Sequence, residues 1–318
     1  MHFYNKGRDF AQELNTSFEK IFNQVLDDVS AGYRNELAFA KGLESKFLEQ
    51  QEAWYRQSHA ILEDNTIRDF LASLNGEDTI SFLQGMAEVS DFDFPTSVED
   101  RVRAFTSEER DKFIQIIERI DVHPSQKSLE ERNREIFLLK QFLPLAKVWS
   151  DEATVQRILA WFLSAGELDD RVADAIGEYI KGAGDAVVIP VTKRIHEEIE
   201  EGTAEDNGTD YLLQALTYVA KQEEKLREDF YPVLRTAFRT FSDKQIPVIC
   251  LGDLGTVRAI PLLRSYIEKN EKTISRELYY EILSSIKRLG GSTKDLPDPF
   301  QDFSPGKTDL SYLFGLED

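Results

Sequence analysis

Several groups in this chain approach the spacings that chemistry requires, and each falls short. His196-Glu197 opens the zinc-protease pattern, in which two histidines one helical turn apart hold the metal and the glutamate takes a proton from water. Glu200 stands where the second histidine belongs. Gly306-Lys307-Thr308 has the ending of a phosphate-binding loop, but the earlier glycine it needs is replaced by Gln301. The histidines are His2, His59, His123 and His196, and the one cysteine, Cys250, lies between Ile249 and Leu251. An apolar setting of that kind keeps a thiol protonated and inert. Asp169-Asp170, Glu197-Glu198 and Glu108-Glu109 read as solvated faces, because paired carboxylates gain useful pKa values only through burial and like-charge contact. No catalytic, cofactor-binding or metal-ligating residue is therefore expected, and no enzyme.

Binding is the alternative to chemistry. Leu278, Ile282, Leu283, Ile286 and Leu289 recur at helical spacing as a buried stripe, with Tyr279 and Tyr280 at its margin and Ser284, Lys287 and Arg288 beyond. Tyrosine and arginine anchor interfaces more often than other residues. These five residues (Tyr279, Tyr280, Ser284, Lys287 and Arg288) form the expected partner-binding surface. The competing expectation is that the tyrosines pack against the preceding hairpin. Lys147, Lys193, Arg235 and Arg264 suggest a second feature, a positive ladder, against the alternative that each pairs with a neighbouring carboxylate.

The elements that would position these residues are helical. Phe10, Leu14, Phe18, Ile21, Phe22, Val25, Leu26 and Val29 lie on one face of a first helix that ends at Ser30-Ala31-Gly32. A second helix is expected over 35–62, with Leu37, Ala40, Leu43, Phe47, Trp54, Ile61 and Leu62 buried, making an antiparallel hairpin with the first. Thr66 to Leu74 should form a helix stopped by Asn75-Gly76, with Asp78 capping the next. Thr106 with Glu109, and Ser128 with Glu131, have capping-box spacing. His123-Pro124 should end the helix between them.

From there a phrase recurs: Leu143-Pro144-Leu145, Ile189-Pro190-Val191, Tyr231-Pro232-Val233 and Ile260-Pro261-Leu262, each with Lys or Arg three places after the proline. The proline spacings are 46, 42 and 29 residues, the interval of stacked helical hairpins. Leu251-Gly252, Leu254-Gly255 and Arg258-Ala259-Ile260-Pro261 resemble the short bacterial HEAT repeat of phycobilisome-lyase type. The likeness is clear over 246–290, weaker over 128–245 and not seen in 1–125. Around Ala215–Phe241 it departs from the pattern, since no glycine pair precedes Tyr231-Pro232. The resemblance implies a HEAT-like α–α superhelix or solenoid over 126–291. With the periodic helices before it, the expectation is an all-α protein with an N-terminal helical hairpin or bundle over 1–125, followed by an acidic, proline-containing tail over 292–318. In such solenoids the second helix of each pair tends to line the concave face. Some repeats of this type are linked to bilin attachment, and some helical-repeat proteins act on DNA bases, so an enzyme stays among the alternatives.

Charge narrows the partner. With 58 acidic and 38 basic residues the net charge is −20, which repels nucleic acid and anionic membrane. A protein is expected, and a basic one fits the charge better than nucleic acid does; the competing expectation is that the acidity serves solubility alone. The expected function is a non-catalytic scaffold or adaptor, with an acidic inhibitory or immunity-type protein that neutralises a basic partner as the alternative. No apolar leader or long apolar span appears, so a cytoplasmic location is expected, with no cofactor.

Overall fold

The computed structural model describes residues 1–30, 36–90, 92–123, 127–149, 151–163, 168–202 and 208–301. Among these the protein is helical and has no β-strand. None of their helices is long and apolar enough to cross a membrane. The chain divides into two compact units, the first reaching Trp149 and the second beginning at Ser150, with Val122–Pro124 also assigned to the second. The helix of Leu129–Ala146, grouped with the repeats by sequence, thus packs within the first unit.

The first unit comprises α1 (His2–Ser30), α2 (Glu36–Tyr55), α3 (Ile67–Ser73), α4 (Gly76–Ala87), α5 (Thr96–Arg103), α6 (Ser107–Glu118) and α7 (Leu129–Ala146). The apolar stripe of α1 buries Phe10, Leu14, Phe18, Val25 and Val29, while Phe22 stays partly exposed. Its main partner is α4, with α2 alongside. Two glycines let α1 and α4 approach. A Cβ on Gly7 would lie 2.0 Å from the Phe82 carbonyl oxygen, and one on Gly85 would lie 1.9 Å from that of Tyr4. Phe10, Phe18, Trp54 and Phe82 pack around this contact.

Helix α2 is shorter than its sequence pattern implies. It stops at Tyr55 and is followed by a 3-10 turn at Ala60–Leu62. His59 is the reason: it is 5% exposed, its ring lies 4.1 Å from that of Trp54, and its Nδ1 lies 3.0 Å from a Glu13 oxygen. Turning the chain inward buries this imidazole, which a continued helix would not do. The Thr106–Glu109 and Ser128–Glu131 capping boxes both form. Between α3 and α4 the assignment moves. Asn75, not Asp78, caps α4, its Oδ1 accepting from the Asp78 N–H at 2.9 Å. Gly76 is the first residue of α4 and does not close α3.

The second unit comprises α8 (Glu152–Phe162), α9 (Asp170–Ala183), α10 (Val188–Glu201), α11 (Thr209–Ala220), α12 (Glu224–Thr240), α13 (Gln245–Leu254), α14 (Ala259–Asn270) and α15 (Arg276–Arg288). Their packing alternates. Helix α9 packs on α11, α11 on α13 and α13 on α15. Helix α8 packs on α10 and α10 on α12, and Phe238 of α12 meets Tyr266 of α14 at 5.1 Å. Gly255, at φ +77°, ends α13 and starts the turn into α14, a conformation that favours glycine.

The recurring proline phrase does not mark one structural position. Pro190 and Pro261 lie in the first turns of α10 and α14, where a missing N–H costs little. Pro144 lies in the last turn of α7 and Pro232 near the middle of α12. The clearest repeat-like span, 246–290, holds three helices: α13 and α14 flank Gly255, and α15 returns to pack on α13. Ala31-Gly32 of the expected stop, the side chain of Leu37, Pro124, residues 203–207 of the acidic loop, and the tail beyond 301, with the apolar run Leu310–Leu316, lie outside the described residues.

The glycine contact is directly testable. Gly7→Ala and Gly85→Ala are each expected to lower stability in urea unfolding by about 1–3 kcal/mol through overpacking, although alanine is the better helix former. Gly177, inside α9, has open space where a Cβ would sit. Gly177→Ala is expected to raise stability by about 1 kcal/mol.

Candidate functional site

The row α9–α11–α13 carries a groove of about 350 Å³ on its outer face. Its walls follow from helical spacing. Asp170, Asp174 and Glu178 stand four residues apart on α9 and are exposed, so one edge is a line of carboxylates. Like charges at that spacing weaken a helix by roughly 0.2–0.5 kcal/mol per pair, so helix stability alone does not select them. On α11, Tyr211, Gln214, Tyr218 and Lys221 share one face at steps of three and four and form the middle of the groove. Asp253 of α13 closes the far side.

The contacts inside are specific. The Tyr211 hydroxyl donates to an Asp170 oxygen at 2.7 Å. That bond, and burial after it, push the phenol up to about 12. Tyr218 is 46% exposed, with the Lys221 Nζ 4.8 Å and the Lys181 Nζ 5.4 Å from its ring centre. Both are cation–π distances. Lys181 also donates to Glu178 at 2.8 Å. Asp253 is paired with Arg288 of α15. Cys250 lines the base but is 1% exposed, and burial pushes its thiol up to about 12. The groove thus offers rings and carboxylates that already hold cations of the chain itself.

Of the five residues expected to form a partner surface, all on α15, Tyr279 is turned into the core. Tyr279 is 2% exposed. Its hydroxyl donates to the Pro297 carbonyl at 2.9 Å, and its ring packs against Phe300 at 5.5 Å. Residues 292–301 cover it and are themselves held by Arg264, which meets Asp295 at 2.6 Å and the Ser292 carbonyl at 2.6 Å. The start of the tail is therefore seated on α14 and α15. Tyr280 and Ser284 are half-buried, while Lys287 and Arg288 are exposed. Because α15 belongs to the α9–α11–α13 row, Arg288 reaches the groove through Asp253. The positive ladder gives way to ion pairs: Lys147 meets Glu99 at 2.8 Å, Lys193 meets Glu197 at 4.0 Å, and Arg264 meets Asp295. Arg235 stays exposed.

Sequence inspection missed Asp174, Glu178, Tyr211 and Tyr218. Their signal is spacing on a helical face, which adjacent carboxylate pairs such as Asp169-Asp170 do not carry. Compared with known proteins, the chain matches no family model, no curated protein and no solved structure.

Two outcomes check these placements. Tyr279→Phe should cost about 1 kcal/mol by losing one hydrogen bond, and Tyr279→Ala about 3–5 kcal/mol by emptying a core position, both read by urea unfolding. Cys250 should resist iodoacetamide at pH 8 in the folded protein and react on unfolding. Its folded pKa lies above the ordinary value of 9.0. Its contribution to stability is therefore complete below that value and is lost as pH rises toward about 12.

Proposed function

We propose that the second unit is a HEAT-like α-solenoid acting as a scaffold, with the α9–α11–α13 groove holding a basic segment of a partner protein. Three features support the solenoid: the alternate packing of successive helices, the hairpin at Gly255, and the first-turn prolines Pro190 and Pro261. One observation carries the binding assignment. The carboxylates of Asp174, Glu178 and Asp253 flank the partly exposed Tyr218 ring, which already has two ammonium groups beside it. An incoming guanidinium or ammonium meets the same rings and carboxylates, and desolvated aromatic anchors of this kind dominate binding energy. The only thiol in the groove is buried and kept protonated, which favours binding over nucleophilic chemistry there.

A neutralising role toward a basic protein draws on the same edge of α9 and differs only in what the partner does when free. In either case complementary charge speeds encounter and makes binding salt-sensitive.

The test separates the groove from general acidity. A fluorescein-labelled arginine-rich peptide is titrated against the full chain, against Asp174→Asn/Glu178→Gln, and against Glu19→Gln/Asp28→Asn, which changes net charge equally on exposed positions of α1. The groove pair should weaken binding about tenfold, and the α1 pair by much less. Tyr218→Ala should match the groove pair. Equal weakening by both pairs would reduce the effect to net charge and remove the proposed site.

A further inference from the structure

A second groove, of about 270 Å³, lies between α12 and α14. Its chemistry is the reverse of the first. Phe238, Leu262 and Tyr266 form an apolar floor, and Arg239, Lys244 and Lys269 are its charged lining, with no carboxylate among the lining residues. On a chain with net charge −20, such a lining is not expected from composition.

The floor is built by packing. Phe238 is 2% exposed, and its ring meets that of Tyr266 edge-on at 5.1 Å. Tyr266 is half-buried, and its hydroxyl has no hydrogen-bond partner among the described residues. Lys244 is fixed at one end: it donates to the Phe241 carbonyl at 2.6 Å and lies 5.8 Å from the Phe238 ring centre. Arg239 and Lys269 are exposed, and no carboxylate among the described residues pairs with either. Arg235 stands one turn before Arg239 on the same face of α12, extending the basic rim.

Helix dipoles account for part of this. Arg239 and Lys269 lie in the last turns of their helices, where cations are favoured. That effect places one cation at each end. It explains neither the lack of lining carboxylates nor the apolar floor open between the cations.

We propose that the α12–α14 groove is a second binding site, which takes an acidic peptide segment of a partner protein with a leucine or aromatic anchor side chain. The anchor would cover the half-buried Leu262 and Tyr266, which line the groove with the buried Phe238. The flanking carboxylates would meet Arg239 and Lys269, with the Tyr266 hydroxyl free to donate. The charge of this site is opposite to that proposed for the α9–α11–α13 groove and does not depend on it.

The probe is a fluorescein-labelled hexapeptide in which a Leu-Phe pair is flanked by glutamates, titrated against the full chain by anisotropy. Saturable binding is expected, weakened about tenfold by Arg239→Glu/Lys269→Glu. Lys20→Glu/Lys46→Glu, an equal charge change on exposed positions of the first unit, should weaken it far less, and Asp174→Asn/Glu178→Gln should not weaken it. The arginine-rich peptide should lose no affinity in Arg239→Glu/Lys269→Glu, so failure of either site is seen separately. Equal loss in the two lysine-containing charge reversals, no saturable binding, or unchanged affinity when glycines replace Leu-Phe would each overturn the proposal. A carbodiimide cross-link from Lys269 to an acidic residue of the chain itself, found in the peptide's place, would overturn the assignment to a partner.

Discussion

At the contact of α13 with α15, a Cβ on Gly252 would lie 2.7 Å from the Ser285 hydroxyl oxygen. Ser285 is buried, and its hydroxyl is satisfied by the Val248 carbonyl at 3.1 Å. Two small residues thus let the helices approach while leaving that hydroxyl partnered in the core. The α13–α15 end of the row of α9, α11, α13 and α15 depends on such close approach, and Asp253 of α13 lines the groove. The first unit uses the same device where Gly7 and Gly85 bring α1 against α4. A larger residue at any of these sites pushes one helix from the next, and interiors packed like crystals transmit such shifts.

Charge is sorted between the two rows of the second unit. Helix α9 concentrates Asp170, Asp174 and Glu178 on one exposed line, while Arg239 of α12, Lys269 of α14 and Lys244, just before α13, stand around an apolar floor. The net charge of −20 describes neither face. Surface potential at contact range is set by residues within about 8 Å at physiological ionic strength, so the local lining of each groove, not the net charge, sets its field. Ion pairs elsewhere, such as Arg264 with Asp295, tie chain segments together and leave the grooves as the distinctive features.

Structure is legible in the sequence where a few neighbouring residues decide the outcome. The stripe of α1, both capping boxes and the turn at Gly255 each depend on contacts within one or two helical turns. Structure is not legible where local rules offer two solutions. Asn75 and Asp78 are both able to cap α4, and Asn75 takes the position. Proline fits a first helical turn, yet Pro144 and Pro232 lie deeper in their helices. His59 ends the pattern of α2 because Trp54, Phe10 and Glu13 are waiting for it, and none of those contacts is visible as a spacing. Tyr279 carried the right chemistry for a surface, but residues 292–301 fold back over it.

The sequence by itself determined that this chain is helical, where many of its helices begin and end, and which stripes face inward, because hydrogen bonding and apolar periodicity act within one element. Only the tertiary structure decided which helices become neighbours. That choice makes a groove from Asp174, Tyr218 and Asp253 on three separate helices, and it buries Tyr279. Neighbour choice depends on summed burial and close approach across distant segments, and no single stretch of residues records that sum.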